Sequence, residues 1–181
     1  MEEVEAIKAL DLENSHHDAR NIFLFCIYCS GMRIGDAMRL KWSNVSGDKL
    51  RYSMNKTKDE IPIRMNDQAM EIINQYERST KYIFPYLEEC SVAKDEYKKV
   101  NSGTTVVNNC LVSIAEMAGI DKHITTHVAR HTYSQLAINA KVNPRTLQKA
   151  LGHESFSTTE NYISELNFDD VDDINEKIFG K

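Results

Sequence analysis

The stretch from Ala19 to Ser30 is apolar over much of its surface and ends at Gly31, a residue suited to a helix C-terminus. It reads as a buried helix. Its longest apolar run, Ile22 to Cys29, is too short to span a bilayer. A chain of 181 residues is long enough to bury such a helix in one domain, and 3 prolines and 7 glycines are too few for a turn-rich all-β fold or for disorder.

Most of the remaining signal is helical too. A short helix is expected around Gly35 to Leu40, and one from about Asp67 to Glu77 with Asn66 as its N-cap. Val106, Val107, Cys110, Leu111, Ile114 and Met117 recur at helical spacing up to Gly119. Thr125 or Thr126 caps a helix running to about Ala140. Asn143-Pro144 opens another, which Gly152 closes. Ser157-Thr-Thr-Glu160 reads as a capping box, placing Tyr162 in the first turns of a further helix. One region follows a different period. Leu50, Tyr52 and Met54 alternate with polar residues, as do Ile61, Ile63 and Met65, which predicts an antiparallel hairpin with Lys56 to Glu60 near its turn. Tyr82 to Leu87 is an apolar connector, and an irregular segment is expected within the polar stretch Glu88 to Ser102. The fold class is therefore mainly α with a small antiparallel β-hairpin or sheet.

Cys26 and Cys29 form a C-x-x-C, but no second ligand pair accompanies them, and we read them as small buried thiols of the first helix. The N-terminus lacks the basic-then-apolar order of a signal peptide, so a cytoplasmic location is expected. The net charge of −5 is unevenly spread. From Lys122 to Lys149 there are five Lys or Arg, three His and no acid; from Glu160 to Glu176 there are seven acids and no Lys or Arg. The first stretch suits a polyanion and the second does not.

Within and around the basic stretch, His127 and Arg130 lie three apart on one helix and share a face. His153 follows a helix-ending glycine, and Tyr162 comes nine residues later. Each alone is weak evidence, since a lone helical His or Tyr is usually structural. Their order is more specific. Thr126-His-Val-Ala-Arg-His-Thr132, Leu151-Gly-His153 and Thr158-Thr-Glu-Asn-Tyr162 together resemble the second motif block of the tyrosine recombinases, the phage-type integrases. Ser30-Gly-Met-Arg-Ile-Gly-Asp-Ala-Met-Arg-Leu40, followed by Trp42 and Val45, resembles the first, and Lys56-Thr57 looks like the family's hairpin lysine. The resemblance runs from about Ala19 to Ser164 and is nearest in flavour to integrases of phages and conjugative elements. Ala129 departs from the Leu-like residue usual beside the arginine, which should alter packing and not chemistry.

The resemblance implies a catalytic domain over 1–164 with the tyrosine recombinase fold. Residues 165–181 would form a tail with apolar Leu166, Phe168, Val171, Ile174, Ile178 and Phe179 that docks on a neighbouring protomer. The helical DNA-binding domain that precedes the catalytic one in such proteins is expected to be absent from this chain. The implied activity is site-specific cleavage and rejoining of double-stranded DNA through a covalent 3′-phosphotyrosine. Arg33 and Arg130 would clamp the scissile phosphate, since guanidinium is always charged and binds phosphate with a planar fork. Tyr162 would be the nucleophile, His127 its general base, Lys56 the proton donor to the leaving 5′ hydroxyl, and His153 a hydrogen-bond donor to the phosphate. Lys58 competes with Lys56, but the Lys-Thr pair favours Lys56. His131 is expected to pack structurally, and His16, His17 and His123 to lie at the surface. No metal and no cofactor is expected. The implied partners are DNA, further copies forming a synaptic tetramer on DNA from a free monomer, and accessory DNA-bending proteins; the DNA-bound protein would be nucleoid-associated. Two other readings are a non-catalytic DNA-binding relative, against which the full residue set speaks, and a type IB topoisomerase-like enzyme, which the compact motif spacing disfavours.

Overall fold

The computed structural model describes residues 2–53, 60–87, 93–153, 155–157 and 159. Helix α1 spans Glu2–Ala9, α2 Asn14–Tyr28 and α3 Ile34–Met38. Strands β1 (Val45–Ser46), β2 (Lys49–Ser53) and β3 (Glu60–Arg64) follow, then α4 (Asp67–Ile73), α5 (Ala93–Met117), α6 (Thr126–Asn139) and α7 (Pro144–Leu151). Among the described residues no helix is long and apolar enough to cross a membrane.

The apolar run from Ile22 to Cys29 forms the centre of the molecule. Asn21 through Ile27 are buried without interruption, and α1, α3, α4, α5 and α6 all pack against α2. A helical stretch with no solvent face must be enclosed by neighbours. Phe25 meets Phe84 edge-on at 5.3 Å, and Tyr76 meets the same ring at 5.2 Å, so the connector after α4 closes over α2. Cys26 and Cys29 lie inside this core as free thiols, as does Cys110. α2 begins five residues earlier than its apolar pattern, because its first turn carries polar Asn14, Ser15, His16 and His17. His17 is half-buried and not simply a surface residue: its Nε2 lies 2.9 Å from Gln75 Oε1 and 3.2 Å from Asn21 Nδ2.

The sheet is antiparallel in the order β1-β2-β3, with Leu50 opposite Ile63 and Tyr52 opposite Ile61. Leu50 and Tyr52 face the core while Lys49, Arg51 and Ser53 face out, the alternation expected of a half-buried strand. The hairpin turn with Lys56 and Lys58 lies outside the described residues. β1 adds a short third strand, Val45 pairing with Leu50.

Several boundaries differ from the sequence expectation. α1 turns only Val4 and Ile7 inward, too few positions to register a helical period. Asn66 caps α4, its Oδ1 accepting from Ala69 N at 2.9 Å. That helix stops at Ile73 and not near Glu77, which lets Tyr76 reach back so that its hydroxyl donates to Asp18 at 3.0 Å. Of the polar stretch Glu88 to Ser102, expected to hold an irregular segment somewhere, residues 88–92 lie outside the described residues and residues 93–102 are the first turns of α5. Their exposed side hid the period, whereas Val100, Val107, Cys110, Leu111 and Ile114 face inward; Val106 and Met117 point to solvent. Near the C-terminal end, Phe156 and Ser157 are already helical and Ser155 Oγ accepts from Ser157 N at 3.2 Å. The cap is thus Ser155, two residues before the expected capping box, whose Glu160 lies outside the described residues.

Candidate active site

Three segments meet beside the end of α2. Ser30 and Gly31 both take left-handed backbone, with φ of 59° and 65°, and reverse the chain from α2 toward α3. A Cβ at Gly31 would lie 3.1 Å from the Tyr133 ring and 3.2 Å from Leu151, so α6 and α7 come close against this turn. Arg33 is then the N-cap of α3, and its extended backbone (φ −70°, ψ 139°) sets it at the helix mouth.

α6 supplies the second segment. Thr125 occupies its N-cap but makes no side-chain cap bond. Instead Asn108 of α5 accepts from Thr126 N at 2.9 Å, fixing the start of α6 from across the helix interface. His127, the second residue of α6, keeps part of its surface in solvent, while Arg130, one turn in, is 5% exposed. The Arg130 guanidinium donates to Gly31 O at 2.9 Å and to Leu151 O, so it ties α6 both to the α2–α3 turn and to the end of α7.

A cavity of about 480 Å³ opens where these segments meet, lined by Arg33, Asp36, Arg39, Thr126, His127 and Arg130 among others. Arg39 is held in place: its Nε donates to Glu96 at 2.6 Å and Nη1 to Gly35 O at 2.7 Å. Partial burial pushes the His127 imidazole below the ordinary histidine value, and the positive charges of His131, Arg130 and Arg33 add to this. His127 is thus biased toward its neutral, proton-accepting form beside two guanidinium groups. His131, expected to pack structurally, is exposed, and its ring meets that of His127 edge-on at 4.9 Å.

α7 brings the third segment. Asn143 Oδ1 accepts from Arg145 N at 2.9 Å, Pro144 opens the helix, and Gly152 ends it in left-handed conformation at φ 59°. His153 follows, its N donating to Gln148 O at 3.1 Å, while Gln148 Nε2 donates to His153 O at 3.1 Å. It stands two residues past the Leu151 carbonyl that Arg130 holds.

Of the six residues singled out by sequence, Arg33, His127 and Arg130 line one cavity, and His153 stands at the turn tethered to Arg130. Lys56 and Tyr162 lie outside the described residues. Asp36, Arg39 and Thr126 join the cavity without having been singled out as chemical residues. Asp36 follows Arg33 at the same three-residue spacing that flagged His127 and Arg130, a signal that was available.

Residues 1–167 match the family model described as phage integrase family. This chain belongs to the phage integrase family. Over 162 residues it is 28% identical to a tyrosine recombinase XerC of Rickettsia conorii (strain ATCC VR-613 / Malish 7), covering 90% of this chain and 50% of that protein. A XerC of Rickettsia rickettsii (strain Sheila Smith) is 29% identical over the same length. The chain spans about half the length of these curated relatives. Among solved structures it resembles the XerH site-specific recombinase bound to palindromic difH substrate in a post-cleavage complex, with a TM-score of 0.68 at 15% identity, covering 97% of this chain and 49% of that one. It also resembles the XerA recombinase, with a TM-score of 0.62 at 19% identity, covering 97% and 61%. These likenesses establish the fold, and the mainly helical phage integrase architecture with a small antiparallel sheet agrees with the sequence expectation.

Proposed function

We propose that this chain cleaves and rejoins double-stranded DNA at specific sites through a covalent 3′-phosphotyrosine. The observation that carries this reading is the gathering of Arg33, His127 and Arg130, from two separate segments of a phage integrase family chain, around one cavity.

Attack on a phosphodiester builds negative charge on the non-bridging oxygens, so catalysis rests on positioned cations and donors. Arg33 and Arg130 supply them. The Tyr162 hydroxyl attacks phosphorus, forming the Tyr–phosphate ester as the bond to the 5′ oxygen breaks. His127 takes the phenolic proton, a role suited to a ring held neutral. Lys56 gives a proton to the departing 5′ oxygen, and His153 donates a hydrogen bond to the phosphate. The ester retains the free energy of the broken bond, so a second 5′ hydroxyl can reverse the step without nucleotide hydrolysis.

In this reading residues 1–164 are the catalytic unit, and residues 165–181 are a tail that docks on a neighbouring copy within a DNA-bound tetramer. Structures of the same fold include a XerH recombinase bound to difH substrate, a lambda integrase dimer bound to a COC′ core site and a Tn1549 transposon integrase in complex with circular intermediate DNA, which supports DNA as the partner. Accessory bending proteins and nucleoid association belong to the same proposal.

The test is covalent capture. The chain is incubated with a pool of nicked suicide duplexes carrying a randomised core, and SDS-resistant adducts are isolated and sequenced. Enrichment of one core, with adducts lost in Tyr162→Phe, is the expected result. DNA binding without any adduct would overturn the enzymatic reading, and adducts persisting in Tyr162→Phe would overturn the assignment of the nucleophile.

A further inference from the structure

Thr159 is fully buried (0% exposed), and its Oγ1 lies 3.0 Å from His153 Nδ1. A buried hydroxyl needs a hydrogen-bond partner, and here the imidazole is one. The backbone of His153 is held as well: Gly152 sets the turn, and Gln148 holds both the N–H and the carbonyl. Those contacts place the Cα. The Thr159 contact reaches the ring itself, at Nδ1, and so bears on ring plane and proton position together.

The neutral ring has one proton to place. With Thr159 O–H donating to Nδ1, the proton sits on Nε2, which can then donate. The opposite arrangement, Nδ1–H donating to Oγ1, leaves a lone pair on Nε2, and an anionic phosphate oxygen repels a lone pair. An orienting hydrogen bond on one ring nitrogen commonly decides what the other can do.

We propose that Thr159 is a positioning residue: its hydroxyl donates to Nδ1 of His153, fixes the Nε2–H tautomer and aims that donor. This rests on the reading of His153 as a phosphate donor. Thr159 stands three residues ahead of Tyr162 in sequence. The same stretch of chain therefore carries the nucleophile and the hydroxyl that prepares a phosphate donor. A displacement that carries Thr159 away removes the orienting partner of His153 at the same time.

The tautomer is read directly from long-range 1H–15N spectra of the full-length 15N-labelled chain, recorded above the ordinary imidazole range at about pH 8, with His153→Gln identifying its signals. Wild type is expected to show the Nε2–H form. Thr159→Val, which keeps the shape and loses the hydroxyl, should shift His153 toward a mixture of tautomers, and Thr159→Ser should restore it. Wild type in the Nδ1–H form overturns the proposal whether or not the valine variant folds; so does an unchanged His153 spectrum in folded Thr159→Val. In the adduct assay Thr159→Val should be slower by about tenfold, the worth of one ordinary hydrogen bond, with Thr159→Ser near wild type. A tautomer shift in a protein whose wild type forms no adduct leaves the contact standing and overturns the catalytic reading. A slow adduct with an unchanged tautomer overturns the positioning role and leaves the reaction intact.

Discussion

The Arg130 guanidinium donates to the carbonyl of Gly31 at 2.9 Å across 99 residues of chain. Arg130 lines the candidate site and also ties α6 to the turn that presents Arg33. The two arginines of the cavity are therefore not equivalent. Arg130 is buried and bonded to two backbone carbonyls, whereas Arg33 sits half-buried at the start of a short helix.

Arg130→Ala should lower both rate and stability. Loss of charge-assisted bonds to two carbonyls is expected to cost about 2–4 kcal/mol. Arg33→Ala should reduce adduct formation by roughly a hundredfold or more while changing stability by less than about 1 kcal/mol. Urea denaturation of both variants beside the covalent-capture rate checks this. A stability loss at Arg33 equal to that at Arg130 would contradict the division of roles.

The depressed His127 value has a signed consequence. The ring must be neutral to take the phenolic proton, so adduct formation should hold its rate below the ordinary histidine value of about 6.5 and fall only as the ring protonates at its lower value. Its stability contribution has the same direction: the unfolded histidine binds a proton at higher pH than the folded one, so acidification through that window favours unfolding. Initial rates from about pH 5 to 8, compared with those of His127→Gln, test it. A midpoint above the ordinary value, or an acidic limb unchanged in the variant, counts against His127 as the base.

Asn108 is expected to matter more to α6 than the residue at the N-cap itself. Asn108→Ala removes the acceptor for Thr126 N and should cost about 1 kcal/mol, whereas Thr125→Ala, which loses no cap bond, should cost less than about 0.5 kcal/mol. Thermal melts of the two variants decide between them, and a larger loss at Thr125 would refute this assignment of the cap.

Gly31→Ala should destabilise the chain by about 1–3 kcal/mol, since it forces an L side chain into left-handed backbone with its Cβ 3.1 Å from Tyr133. The urea midpoint is the measurement. Gly47, also at positive φ but with nothing within 4 Å of its Cβ, is the control for the backbone term alone.

Legibility in the sequence followed the strength of the local signal. Asn143, Pro144 and Gly152 delimit α7 as expected, because cap and terminator chemistry acts within a few residues. Leu50 and Tyr52 show their inward face through simple alternation. The first turns of α5 were not legible, since their few inward positions are spread along a largely polar stretch. The cap at Ser155 was hidden by a better-looking motif two residues on. At the site, ordered motifs were enough to single out Arg33, His127 and Arg130, which the fold brings together. Contacts that join separate elements were not legible: Arg39 with Glu96, Asn108 with Thr126, and Gly31 with Arg130 acquire meaning only once the helices are packed.

The cysteines at the C-terminal end of α2 give this fold a built-in chemical clock. Cys26 and Cys29 are enclosed, and burial raises both thiols well above their ordinary range, so neither offers a thiolate to reagents in the native state. With Cys90 and Cys110 replaced by serine, every labelling event records an opening of the central helix, and its rate measures how often the scaffold beneath the arginine pair comes apart.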